Sequence, residues 1–257
     1  MKTEICGHEL EYDAWGEGPD LVFLHGWGAP YGIYAGVLSL LSQRFRVTAL
    51  NMPGVGGSPD PETPLTVDDY IKIADGFINS LGIKNCTVVC HSHGGRVAAG
   101  LMGEKRDFEV EKAVFIDAAG VPPRRSALYR AKARLYSLLR FLGTNALTAP
   151  LFKEAYEVRR ERRSSEDYKN ATPVMRKTLS NVVNADMRPF MMNIGCPVLL
   201  IWGENDTATP LWAGQEMERL IKGSGLAVIK GAGHFPFVDN PQQFYAVLKA
   251  FLFTEEM

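Results

Sequence analysis
The sequence predicts an α/β fold: a mostly parallel, doubly wound sheet with an inserted helical cap. Three observations carry that prediction. Short, continuously apolar runs alternate with helix-type apolar spacing over residues 20–116 and again over 198–253, as strands do when connecting helices cover both faces of a sheet. One such run, Thr87 to Cys90, passes through a serine and two glycines straight into a small-residue helix pattern. Between the two alternating stretches, residues 122–188 hold fifteen Lys and Arg against six Asp and Glu, a net of +9 in a chain that totals −1, so the remainder carries −10. A break of that size marks an insertion.

Taken in order, residues 4–6 and 9–12 flank Gly7-His8 as a small hairpin, and residues 14–19 form a turn-rich connection. The run 20–25 is too continuously apolar for a half-exposed strand and belongs at the centre of a parallel sheet. A helix at 37–41, a strand at 47–50 and a helix at 67–81 with Thr66 as N-cap follow. Then come the strand at 87–90, the helix after Ser92 and a strand at 113–116. Here the alternation stops. Leu128, Ala131, Leu135, Leu138 and Leu142 stand at three-and-four spacing with Arg130, Lys132, Arg134 and Arg140 between them, and 154–163 and 174–183 suggest further helices, with Ser164-Ser165 as a cap. Strand character returns at 198–202 and 227–229, with helices at 212–221 and 241–253. The expected division is a core of residues 1–121 and 189–257 and a helical cap of 122–188.

Length and composition exclude several classes. A chain of 257 residues can bury a core without covalent staples, and Cys6, Cys86, Cys90 and Cys196 show no paired C-x-x-C spacing. That usage, an N-terminus without an apolar signal core and the lack of a membrane-length apolar stretch make a cytoplasmic protein the expectation. No nucleic-acid signature accompanies the basic segment, so it reads as a solvated helical face. No metal is expected, because the five histidines lack metal-ligand spacing and His91 and His93 flank a turn from opposite sides. No nucleotide cofactor is expected either: Gly54-Val55-Gly56-Gly57 is followed by no P-loop lysine.

The chemistry centres on Val88-Val89-Cys90-His91-Ser92-His93-Gly94-Gly95. A serine in a strand–turn–helix corner is either a helix cap or a nucleophile whose hydroxyl is pushed out above the sheet edge. A serine nucleophile needs a base, an acid to orient that base, and amide donors for the developing oxyanion. His234, in Gly231-Ala232-Gly233-His234-Phe235-Pro236 after the last strand, is the candidate base. Asp206 after the strand at 198–202 is the candidate acid, with Glu204 and Asp117 as rivals at or near strand ends. His25-Gly26-Trp27-Gly28 would turn the Trp27 amide inward to pair with that of His93 as an oxyanion hole.

Together these motifs resemble the α/β-hydrolase fold family in its capped serine hydrolase form. The resemblance rests on His25-Gly26-Trp27, on Asn51-Met52-Pro53-Gly54-Val55-Gly56-Gly57-Ser58, on the elbow at Ser92 and on the loops at Asp206 and His234. It covers nearly the whole chain outside the cap. It implies Ser92 as nucleophile, His234 as base and, through the chain order Ser…Asp…His, Asp206 as acid. Two positions depart from the family pattern: Asn51 stands where Asp is usual and is expected to loosen a loop interaction, and Cys90 replaces a glycine and is expected to shift the elbow slightly. Relatives that cleave carbon–halogen bonds or epoxides carry aspartate at the elbow, so Ser92 implies acyl chemistry on a small-molecule substrate. Carboxylic ester hydrolysis leads the expectation, with hydrolysis of a thioester, a small amide or a C–C bond, or a non-catalytic small-ligand sensor, as alternatives. The apolar stripe of the cap is expected to face core or pocket and its arginines to face solvent, unless Arg124, Arg125, Arg159 or Arg163 turns inward, so that the pocket favours uncharged acyl groups.

Overall fold
The computed structural model describes residues 1–123, 127–145, 148–154 and 166–253. Its eight strands form one sheet in the order β1-β2-β4-β3-β5-β6-β7-β8. Strands β1 (Lys2–Ile5) and β2 (His8–Trp15) pair antiparallel, closed by Cys6 and Gly7 at φ 51° and 78°, two successive positive φ values that suit a tight hairpin. Strand β2 pairs antiparallel with β4 (Arg46–Leu50) as well, and the pairings among β4, β3 (Asp20–Leu24), β5 (Asn85–His91), β6 (Glu109–Ile116), β7 (Val198–Gly203) and β8 (Gly225–Ile229) are parallel. Strands β5 and β6 start earlier than their apolar runs, because their exposed first residues continue the hydrogen-bond ladder without adding to the core.

Side chains alternate between the two faces as the strand period requires. Val22 and Leu24 join the cluster under α2 (Val67–Ser80), α3 (Gly94–Met102) and α8 (Leu211–Leu220). Leu21 and Phe23 join the opposite cluster under α1 (Ala35–Leu41) and α10 (Pro241–Leu252). Thr66 caps α2 through a reciprocal box with Asp69. Between β6 and β7 the described elements are helical: α4 (Ala127–Thr144), α5 (Glu166–Asn170), α6 (Pro173–Val182) and α7 (Arg188–Met191). Val182, Met187 and Met191 are buried in the α3 cluster, and Met187 N–H donates to Gly120 O at 2.8 Å, which closes the insertion at its neck.

The expected inward stripe of the insertion is corrected in part. Leu135 and Leu138 are 60 % and 53 % exposed, and Phe141 beside them is 61 % exposed. A helical period shows that one face is apolar and leaves open what covers it; here α6 and α7 take the place on α3. Arg134 and Arg140 are exposed as expected. The side chains of Leu128, Arg130, Ala131 and Lys132, and Arg124, Arg125, Arg159, Arg163 and Ser164-Ser165 entirely, lie outside what is described. Among the described residues no helix is long and apolar enough to cross a membrane.

Helix α3 seats so closely that its first two residues must be glycine. A Cβ at Gly94 would lie 2.2 Å from the Leu24 carbonyl oxygen, and one at Gly95 would lie 2.5 Å from Ala118 Cβ. Gly94→Ala is therefore expected to destabilise the fold by roughly 2 kcal/mol or more and to displace Ser92 from β3. Thermal melts with and without an active-site serine probe check this; unchanged melting and unchanged labelling would show that the seat has room.

Candidate active site
The carboxyl ends of the parallel strands carry every sequence-predicted residue. Ser92 follows β5 directly, at φ 48°, a left-handed conformation rare for a side chain that bears a Cβ. Three backbone bonds hold it there: Ser92 N–H to Ile116 O at 3.1 Å, Gly95 N–H to Ser92 O at 2.9 Å and Ala119 N–H to Ser92 O at 2.7 Å. The serine does not cap α3, whose N-cap is His93 without a side-chain bond. Its Oγ instead lies 2.9 Å from Nε2 of His234, in the loop after β8. Cys90 is fully buried with its Sγ directed at Val114 O, 3.6 Å away on β6, so the cysteine fills a gap between strands.

His234 Nδ1 lies 2.8 Å from Oδ2 of Asp206, in the loop after β7. A carboxylate only accepts, so Nδ1 carries the proton and Nε2 presents its lone pair to Ser92. Burial alone would raise the Asp206 carboxyl, but hydrogen bonds from His234 and Thr209 outweigh it and hold the group at about 2. Oδ1 accepts from the N–H groups of Ala208 and Thr209 at 2.7 and 3.0 Å, and Thr209 Oγ1 donates to Oδ2 at 2.6 Å.

The two rival acids have other partners. Glu204 accepts from Gly231 N–H at 2.9 Å and braces the base loop from outside. Asp117 is fully buried at the end of β6, where Oδ1 accepts from Gly203 N–H at 2.8 Å and Oδ2 has no partner. Desolvation pushes this carboxyl up to about 9, and the charge of Asp206 adds to the rise. It is therefore a neutral acid at pH 7. Asp117, Asp206 and His234 lie with one ligand-type atom each within 4.8 Å of one another. Within this cluster Asp206 is already committed to Thr209 and His234.

On the other side of Ser92, the backbone N–H groups of Trp27 and His93 have no acceptor among the described residues, and both residues line the serine's cavity. Two histidines set that wall. His25 Nδ1–H donates to Gly26 O at 2.6 Å while Nε2 accepts from Met52 N–H at 2.9 Å, and burial lowers its pKa to about 4. His91 is the residue that sequence reasoning weighed only as a metal ligand. Its Nε2–H donates to His234 O at 2.8 Å, its Nδ1 accepts from Tyr34 Oη at 2.9 Å, and Tyr34 Oη accepts from Gly26 N–H at 3.0 Å. One chain of bonds thus ties the loop after β3 to the base loop. Desolvation lowers His91 to about 3, so it stays neutral and its tautomer stays fixed. Tyr34 lies in the 3-10 turn Tyr31–Tyr34 and carried no sequence signal beyond its apolar surroundings. Asn51 does not loosen its loop: Oδ1 accepts from Tyr31 N–H at 2.9 Å and Nδ2 donates to Glu11 at 2.6 Å. An aspartate there would face that carboxylate.

Two outcomes follow from this geometry. Tyr34→Phe leaves the Gly26 N–H and His91 Nδ1 unpaired, at a cost of about 1–3 kcal/mol, and is expected to lower kcat roughly tenfold, as small misplacements of reacting groups do; unchanged kcat at equal folding would remove the network from function. Asp117 holds a proton in the folded protein that the unfolded chain releases near 3.8, so its contribution to stability is full below about pH 4 and is lost as pH rises to about 9. Asp117→Asn is expected to flatten that fall and to melt a few degrees above the parent at pH 8, equivalent to about 1 kcal/mol. A melting difference that does not vary with pH would mean that Asp117 is ionised in the fold.

Residues 21–247 match the model of the Alpha/beta hydrolase family. An uncharacterized protein of Mycobacterium tuberculosis is 27 % identical over 98 % of this chain and 80 % of its own length. The pimeloyl-[acyl-carrier protein] methyl ester esterase of Nitrosomonas europaea is 29 % identical over 94 % of this chain and 98 % of its own. Among solved structures, the enol-lactonase of Burkholderia xenovorans superposes with a TM-score of 0.75 at 22 % identity, covering 99 % of this chain and 100 % of that one. That structural likeness speaks for the fold, and the family model extends from β3 to α10 through the turn at Ser92 and the loops that hold Asp206 and His234. On that match the chain belongs to the alpha/beta hydrolase family.

Proposed function
We propose that this protein is a serine hydrolase that cleaves a small carboxylic ester through an acyl-serine intermediate. The observation that carries the reading is the unbroken line from Ser92 Oγ through His234 to Asp206, 2.9 and 2.8 Å long, assembled from three separate strand ends. Ser92 is the nucleophile. As its Oγ bonds to the acyl carbon, the hydroxyl proton passes to His234 Nε2, and the Asp206 carboxylate stabilises the imidazolium. The Trp27 and His93 N–H groups receive the oxyanion, a contribution of about 3 kcal/mol per donor in comparable sites. The carbon–oxygen bond to the alcohol then breaks, and the alcohol leaves with the proton from His234. Water repeats the sequence on the acyl-serine and releases the acid.

Residues 122–188 act as the cap in this reading. Leu179, Val182 and Val183 line the cavity of about 310 Å³ that holds Ser92 and His234. The esterase named among the relatives supports an ester as the bond cleaved, since a serine at the elbow serves acyl transfer. A ligand sensor on the same fold would need no proton acceptor on the serine, which argues for turnover.

Ser92→Ala is expected to fold normally and to lose at least about a thousandfold in kcat on activated esters, because members of such a unit fail together. Fluorophosphonate labelling of the parent and not of the variant is the companion readout. Residual turnover above a tenth of the parent's would place the nucleophile elsewhere. Asp206→Asn is expected to lower kcat about a hundredfold or more, and Asp117→Asn far less; the reverse order on equally folded proteins would exchange the two carboxylates.

A further inference from the structure
We propose that Arg96 binds a carboxylate carried on the acyl portion of the substrate, so that the ester cleaved is a half-ester of a dicarboxylic acid or a close analogue. The proposal rests on the ester hydrolase reading above and specifies its substrate.

Arg96 is the third residue of α3 and lines the same cavity as Ser92, Trp27 and His93. Its Nη2 donates to Val183 O at 2.9 Å, and its Nε is shut off from solvent without a partner. Among the described residues no carboxylate pairs with it. Four other arginines do have acid partners: Arg46 has Asp20, Arg106 has Glu104, Arg188 has Asp186 and Arg219 has Glu216. Burial is the cause that pulls Arg96 down to about 10, with no neighbouring acid to raise it. Arg96 is half-buried, with its Nε enclosed and no acid beside it among the described residues, and a partly desolvated cation of this kind gains from a partner that arrives with the ligand.

The surroundings select the class of ligand. Ala119, Leu179, Val182 and Val183 line the cavity that Arg96 shares, and its lining holds no other Arg or Lys. A single fork of guanidinium N–H groups balances one negative charge and matches the planar oxygens of a carboxylate. His93, with both ring nitrogens unpartnered, is held well below the usual histidine range, chiefly by desolvation and then by Arg96 itself, so it adds no charge. The side of the substrate follows from the proton path. The departing alcohol takes its proton from His234, in the loop after β8 with Phe235, whereas Arg96 stands on α3, the helix that begins just after Ser92, and to this side we assign the acyl group. In this proposal a core residue outside the basic segment replaces the expectation of an uncharged acyl group.

The test uses pairs of p-nitrophenyl esters of matched acyl length, one member ending in a carboxylate and the other in its methyl ester. For the parent protein kcat/KM is expected to favour the carboxylate member at some length by at least about tenfold, the lower end of what a charge-assisted hydrogen bond contributes. Arg96→Gln is expected to abolish that ratio and Arg96→Lys to retain part of it. Equal rates for both members at every length, or a preference that survives Arg96→Gln, would reduce Arg96 to a strut between α3 and Val183 and overturn the proposal. Should Arg96→Gln fail to fold, competition on the parent decides: a free dicarboxylate must inhibit more strongly than the monocarboxylate of equal length. Cleavage of neither member, with Ser92 unlabelled by fluorophosphonate, would instead overturn the ester hydrolase reading itself.

Discussion
A serine held at φ 48° between β5 and α3 is the constraint on which the rest of the site depends. That conformation costs about 1–2 kcal/mol for a residue with a Cβ, and it persists because the strand behind it is buried from Cys86 to His91 and the helix ahead of it cannot retreat. Ser92 exchanges backbone bonds with Ile116, Gly95 and Ala119, while Gly94 lies against the Leu24 carbonyl. The same geometry that strains the serine aims its Oγ away from the sheet, toward the loops after β7 and β8. It also leaves the His93 N–H free at the start of α3. The strained turn, the contact with His234 and the unpaired His93 N–H are thus three consequences of one geometry.

Two carboxylates within one small volume take opposite protonation states, and environment alone separates them. Asp206 is surrounded by donors, from His234, from the Thr209 hydroxyl and from two backbone N–H groups, and stays ionised. Asp117 has a single donor from Gly203 and no route to water, so it remains protonated near neutrality. Placing one charge here is tolerable and placing two is not. The neutral histidines His25 and His91 follow the same logic: desolvation strips their charge, and fixed tautomers turn them into directional struts between loops. The dry polar interior positions the base without competing with it for protons.

The insertion divides its work between two parts. Helices α6 and α7 and the turn between them give Val182, Met187 and Met191 to the core and Leu179 and Val183 to the cavity, so this part of the cap is continuous with the fold. Helix α4 instead shows Leu135, Leu138 and Phe141 to solvent. Charge follows a similar division. The excess of basic residues belongs to the insertion as a whole, yet the arginine that enters the cavity stands on α3, where its stem is enclosed and its head meets Val183. Net charge over a segment governs long-range attraction, whereas recognition inside a cavity depends on which single side chain is enclosed there.

By itself the sequence determined whatever short-range physics controls. The alternation of buried strands and amphipathic helices, a hairpin around Gly7 (read at Gly7-His8 and found at Cys6-Gly7), the Thr66 cap and the strand–turn–helix at Ser92 are written in neighbouring residues. So is the placement of His234 in a glycine-bracketed loop beyond a strand. Only the tertiary structure decided which carboxylate meets His234, because Asp117, Glu204 and Asp206 all stand at or near strand ends and differ in what surrounds them after folding. It likewise decided that His91 and Tyr34, 57 residues apart, join the base loop to Gly26, and that Arg96 faces the cavity while the stripe on α4 does not face the core. The physical reason is common to all of these. Burial, desolvation and hydrogen-bond pairing belong to contacts between distant segments, such as the 142 residues that separate Ser92 from His234, and local pattern carries no record of who the partner will be.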